Sequence, residues 1–188
     1  MLPVSNRYPL EPGQVWGTNS EQILYDTPEN AESLWLRGRG WHLALGLEWP
    51  TRLAYEDAYL MASLQPSAPL ILSTHTSRFA TLSAPAKGYG FRLRTVGKGR
   101  MGVWAPTGYP VHPFGDWDVH ELAEKSIFGY TERGDTILDL SVGKGAVLEG
   151  ALRLDRRYMG VESNAINATR ALARIAKVTG EKPVLLEN

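Results

Sequence analysis

The stretch GDTILDLSVGKGAVLEGALRLDRRYMGVESN, from Gly134 to Asn164, constrains the fold more than any other part of the chain. An apolar run, DTILDL, carries an acidic residue at Asp139 and leads into a turn with glycines at 143 and 145. An apolar-periodic segment follows, and then a second apolar run, YMGVE, that ends in Glu162. Strand, glycine turn, helix and strand in this order form a crossover unit, and such units build parallel sheets covered by helices.

The flanking sequence extends the alternation. GWHLALGLEWPT (Gly40 to Thr51) predicts a buried strand closed by Pro50, RLAYEDAYLMASL (Arg52 to Leu64) a helix, and SAPLILST (Ser67 to Thr74) another strand. Phe91, Leu93 and Thr95 alternate with Arg92 and Arg94, a turn at Gly97 to Gly99 follows, and Met101 to Trp104 return, which predicts a β-hairpin. A helix is expected from Asp116, capped by Asp116 or Asp118 and ended by Gly129. NAINATRALARIAKVTG predicts an amphipathic helix closed by Gly180, and PVLLEN a last short strand. Residues 1–30, rich in Pro, Gly, Asn and Glu, are expected to form an N-terminal arm or irregular cap, with one domain over 31–188. The fold expected is a three-layer α/β domain, mostly parallel, with one antiparallel hairpin.

Composition removes several chemistries. The chain of 188 residues has no cysteine, which excludes disulfide scaffolds, thiolate zinc sites and cysteine nucleophiles. Twenty basic and twenty acidic residues leave no net charge, so bulk attraction to nucleic acid is not expected, although a local basic face is compatible. The four histidines, His42, His75, His112 and His120, are too scattered for a metal site. With neither a signal peptide nor a membrane-spanning run, the expected location is the cytoplasm.

The glycine turn brings main chain close to a ligand above the sheet edge, and the helix after it offers free N–H groups. Glu162, about twenty residues beyond Asp139, can accept hydrogen bonds from ribose hydroxyls. Lys144 lies between the glycines and is followed by Gly145 and Ala146, whereas a P-loop needs Gly-Lys followed by Ser or Thr. A nicotinamide fingerprint would want glycine where Leu148 stands.

The same stretch resembles the cofactor segment of class I S-adenosylmethionine-dependent methyltransferases, most closely the DNA amino-methyltransferases that modify exocyclic nitrogens of adenine or cytosine. Gly134, Asp135, Leu138, Asp139, Gly143, Gly145, Arg156, Arg157, Gly160 and Glu162 match that pattern. Leu140, Ser141, Lys144 and Ala146 depart from it, where the family has Pro, Phe, Ser and Thr. Upstream, His112, Pro113, Leu122 and Ile127 match a helix that completes the cofactor pocket in the subclass whose catalytic strand comes first in the chain. PLILST resembles a further strand of that subclass, so the resemblance runs from Trp41 to Asn188 and is strongest from Val111. It implies S-adenosylmethionine as cofactor. Asp139, Ser141, Val142, Gly143 and Gly145 would hold its methionine part, Glu162 its ribose, with Ser163 or Asn164 beside the adenine and His112 completing the pocket.

The family's Asp/Asn/Ser-Pro-Pro-aromatic tetrapeptide is absent. In its place stand Glu48, able to accept a hydrogen bond, and Trp49, able to stack on a flipped base. Arg92, Arg94, Lys98 and Arg100 make the hairpin a candidate for phosphate contacts, and Trp35, Trp41, Trp49, Trp104 and Trp117 are candidate stacking surfaces. Three readings stay open. The first is a DNA amino-methyltransferase with a divergent catalytic motif. The second is a catalytically silent methyltransferase fold serving as a binding or assembly module, with a homo-oligomer or protein partner. The third keeps the cofactor but acts on a protein or small molecule.

Overall fold

A computed structural model describes residues 8–27, 30, 39–47, 68–73, 91–96, 101–106 and 118–186. Its strands are β1 (Gln14–Gly17), β2 (Glu21–Tyr25), β3 (Leu43–Gly46), β4 (Leu70–Ser73), β5 (Phe91–Val96), β6 (Met101–Pro106), β7 (Thr136–Asp139), β8 (Arg157–Glu162) and β9 (Val184–Leu186). The described helices are α1 (Val119–Tyr130), α2 (Ala146–Arg153) and α3 (Ala165–Thr179).

The nine described strands join one sheet in the order β5-β6-β4-β3-β7-β8-β2-β1-β9. The central strands β4, β3, β7, β8 and β2 run parallel. Antiparallel partners flank them, with the β5–β6 hairpin beside β4, and β1 and β9 beyond β2. The sequence reading of an α/β sheet, mostly parallel with an antiparallel hairpin, therefore holds. Leu43, Ala44 and Leu45 are consecutive in β3 and all buried, as are Ile137, Leu138 and Asp139 in β7. Successive strand residues point to opposite faces, so both faces of the sheet's centre are covered.

The N-terminal stretch departs from expectation. Residues 14–25, read as part of an arm or irregular cap, form a hairpin whose second strand pairs with β8 from Glu21–Tyr158 to Tyr25–Glu162. Thr18 closes its turn. Its Oγ donates to Glu21 Oε2 at 2.6 Å and accepts the N–H groups of Ser20 and Glu21 at 3.1 Å. The partner strand lies near the far end of the chain, so local composition could not reveal the pairing.

Helix α1 starts where expected, since Asp118 accepts the N–H groups of His120 and Glu121 at 2.8 and 2.9 Å. It does not stop at Gly129. A single glycine costs a helix only about 1 kcal/mol, and the next residue, Tyr130, is packed in the core. Thr131 ends the helix in an extended conformation. Helix α3 is closed by Gly180 with φ 75°, as the sequence indicated, and is capped at its start by Asn164. The helix expected over 52–64 lies outside the described residues.

Candidate functional site

The strand order reverses between β3 and β7: the chain leaves β7 towards β8 and β2, but leaves β3 towards β4. Ligands of open α/β sheets bind at the carboxyl ends of strands beside such a reversal. Leu45 pairs with Asp139, and the N–H of Leu140 donates to Leu45 O at 2.8 Å, so the ends of β3 and β7 lie side by side.

Asp139 is fully buried, and its position is fixed by a residue that sequence reasoning passed over. The hydroxyl of Tyr158, itself fully buried on β8, donates to Asp139 Oδ2 at 2.7 Å, while Ser141 N–H donates to Oδ1 at 3.1 Å. Gly160 makes that contact sterically feasible. A Cβ there would lie 2.6 Å from the Tyr158 hydroxyl and 2.8 Å from Val142 Cγ2. The signal was in the sequence as Tyr158 and Gly160, two positions apart on one face of a strand.

Glu162, at the end of β8, holds the glycine turn from the other side. Gly143 N–H donates to its Oε2 and Asn164 N–H to its Oε1, both at 2.8 Å. Asn167 Nδ2 makes a longer contact to Oε2 at 3.5 Å, and of the carboxylate's about four lone-pair positions these donors leave capacity for a hydroxyl group. Gly143 and Gly145 both adopt left-handed conformations, φ 51° and 84°, and Gly145 is the N-cap of α2 with no side-chain cap. The first-turn N–H groups of α2 therefore have no capping side chain at this edge. Val142 is buried, and its main chain is engaged, its N–H donating to Val161 O at 3.2 Å and its carbonyl accepting Gly145 N–H at 2.7 Å, so it supports the turn from beneath. Ser163 is exposed, and the Asn164 side chain caps α3 through Ile166 and Asn167 N–H.

A further carboxylate missed in the sequence is Asp26, buried just beyond the end of β2, where Tyr25 pairs with Glu162. Its Oδ1 accepts Thr27 N–H at 2.6 Å and Asn30 Nδ2 at 2.8 Å. Asp139, Glu162 and Asp26 thus stand at the carboxyl ends of three adjacent strands. Three carboxylates repel a polyphosphate, whereas hydroxyl donors and a cationic group are favoured beside them. The N-terminal end of α2 offers one place suited to a small anionic group. A ligand combining a ribose, a cationic centre and a carboxylate fits these residues.

Other candidates fall elsewhere. Glu48, Trp49, His112, Lys98 and Arg100 lie outside the described residues, although β3 carries the chain to Leu47, one residue short of Glu48. Arg92 and Arg94 lie on β5, the sheet's outer strand. The last residue of β5 and the first of β6 lie at the carboxyl edge, because Val96 pairs with Met101 and Met101 with Ser73 at the end of β4. Arg156 and Arg157 sit at the opposite edge, at the start of β8. Trp41 is buried at 2% exposure and offers no stacking surface. His42 contacts Asp135 and Thr136 at the amino edge, and His120 faces Glu149. Among the described residues no cluster could hold a metal ion, and no helix is long and apolar enough to cross a membrane.

No family model and no curated sequence relative matches the chain. Solved structures do. The crystal structure of M1.HpyAVI matches with a TM-score of 0.67 at 15% identity, over 82% of this chain and 98% of that one. The putative DNA modification methylase TTHA0409 from Thermus thermophilus matches with a TM-score of 0.63 at 18% identity, over 90% and 98%. The PvuII cytosine-N4-specific DNA methyltransferase matches with a TM-score of 0.56 at 13% identity, over 87% and 92%. The chain has the class I methyltransferase-like α/β fold, in the form found in DNA methyltransferases.

Proposed function

We propose that this protein binds S-adenosylmethionine at the carboxyl ends of β7 and β8 and transfers its methyl group to an exocyclic amino nitrogen of a DNA base. The observation that carries the proposal is the pair Asp139 and Glu162, held on either side of a left-handed glycine turn at the strand-order reversal. Two of the similar structures, those of M1.HpyAVI and TTHA0409, were also determined with this cofactor bound, which supports the reading.

When bound, S-adenosylmethionine supplies an electrophilic methyl carbon on a cationic sulfur. The chain's own part is positioning. Glu162 would accept a ribose hydroxyl with the lone-pair capacity that Gly143, Asn164 and Asn167 leave, and the first turn of α2 would face the methionine carboxylate. Glu48 and Trp49, which follow directly from the end of β3, would accept a hydrogen bond from the target amino group and stack on the flipped base. Holding two reactants in line accounts for most of the acceleration such a transfer needs. Lys98 and Arg100, which join β5 to β6 in the sequence, would contact the phosphates of a duplex.

The missing Pro-Pro tetrapeptide favours a second reading, a silent methyltransferase fold that binds without transferring. Methyl-tritiated S-adenosylmethionine, incubated with the protein and mixed duplex DNA, separates the two. Label in DNA that disappears in Glu48→Ala supports transfer. Cofactor binding by calorimetry without label in any acceptor supports the silent fold, and no binding at millimolar ligand removes both.

A further inference from the structure

Arg174, on the outer part of α3, was singled out neither by the glycine-loop pattern nor by the chemistry of the site. Its Nη1 lies 3.4 Å from Lys144 O, 3.2 Å from Gly145 O and 3.3 Å from Glu149 Oε2. One guanidinium thus meets both carbonyls of the turn that opens α2, and Glu149 in the first turn of that helix faces the same group. Gly145 makes the approach feasible: a Cβ there would stand 3.1 Å from Nη1. The side chain that glycine lacks at this position leaves room for Arg174 behind the turn.

From this geometry we infer that Arg174 is a positioning residue for the proposed cofactor, fixing the orientation of the Lys144–Gly145 and Gly145–Ala146 peptides. The inference rests on the cofactor reading above. A trans peptide is planar, with its N–H directed opposite to its carbonyl. Gly145 O also accepts Glu149 N–H at 3.0 Å, the first hydrogen bond of α2, so Arg174 is its second donor, and the two together direct Ala146 N–H, a donor with no partner inside the helix, to the other side. Glu162 and Val142 O hold the N–H groups of Gly143 and Gly145, and the clamp adds a restraint on Lys144 O between the two glycines, which narrows the conformations that binding must select from. The guanidinium also neutralises two carbonyl dipoles that would oppose a carboxylate nearby. Lysine does not reproduce this, because its ammonium ends one bond short of Nη1, the atom that makes all three contacts.

Hydrogen–deuterium exchange of the 141–147 amides in ligand-free protein, together with calorimetric titration of S-adenosylhomocysteine, tests the inference. Four variants are compared: Arg174→Ala, Arg174→Lys, Glu149→Gln, and Arg170→Ala as a control on the same helix. Expected are faster exchange of the turn and about tenfold weaker binding in Arg174→Ala, with little change in Arg170→Ala. Glu149→Gln keeps both carbonyl contacts and should show less of either effect. Unchanged exchange of the turn in Arg174→Ala overturns the inference, as does an equal acceleration in Glu149→Gln, which would make Arg174 a helix-packing residue only. If Arg174→Ala does not fold, Arg174→Lys carries the same test. Wild-type protein that binds no S-adenosylhomocysteine sinks the cofactor reading, while the exchange arm still judges the clamp.

Discussion

The two ends of β8 carry residues from one continuous sequence match, yet they do different work. Glu162, at the carboxyl end, reaches over to Gly143 and faces the candidate ligand space. Arg156 and Arg157 stand at the amino end, about 17 Å away along the strand. Arg156 is half-buried. It donates to Thr131 Oγ1 at 3.1 Å and Thr131 O at 2.7 Å, and also to Leu154 O, bracing the end of α1 against the turn before β8. A crevice of about 420 Å³ opens at this edge, lined by Arg133, Asp155 and Arg157 among others. Arg133 there is paired with Asp155 at 3.1 Å, and both are well exposed. The amino edge holds the sheet and helices together; the carboxyl edge carries the proposed ligand site. A motif that runs along a crossover unit samples both edges, so matching it identifies a fold before it identifies a site.

Substitutions at the two edges should separate these roles. The largest effect is expected from Glu162→Ala, which removes the proposed ribose acceptor and leaves Gly143 and Asn164 N–H groups without their partner. S-adenosylhomocysteine affinity should fall by about a hundredfold, read by calorimetry. Retention of wild-type affinity would contradict the assignment of this edge.

Arg156→Ala should show the reverse pattern. Loss of its charged hydrogen bonds at a half-buried position is expected to cost about 2 kcal/mol in urea unfolding, with ligand affinity unchanged in the folded protein. A large fall in affinity would mean that the amino edge takes part in the site after all. Gly145→Ala bears on both properties. Its φ of 84° costs an alanine about 1–2 kcal/mol, and the new Cβ must displace Arg174, so stability and affinity should fall together. The smallest effect is expected from Arg133→Ala, because its ion pair with Asp155 is open to solvent. Stability should change by less than about 0.5 kcal/mol, and salt should remove even that.

Much of the molecule was legible locally. Asp118 announces the start of α1 and Gly180 the end of α3, because caps are made by neighbours in sequence. The runs around Leu43, Leu70, Ile137 and Val161 read as buried strands because continuous apolar stretches fit a sheet covered on both faces. Asp139, Gly143, Gly145 and Glu162 could be found because one crossover unit carries them all. The strand β2 could not. Its few apolar positions sit among prolines, glycines and acidic residues, and its stability comes from pairing with β8, most of the chain away. Asp26 was missed with it, since a lone aspartate after a weak strand has no local signature.

By itself, then, the sequence determined the crossover unit, its glycine turn and the acidic residues at the ends of its two strands, all of which depend on contacts within some thirty residues. Only the tertiary structure decided which residues hold that turn in place. Tyr158 reaches Asp139 because two parallel strands are in a particular register, and Arg174 reaches Gly145 because the sheet sets α3 within a long side chain's reach of the turn before α2. Register and packing are set by the whole sheet and core together, and no window along the chain contains them.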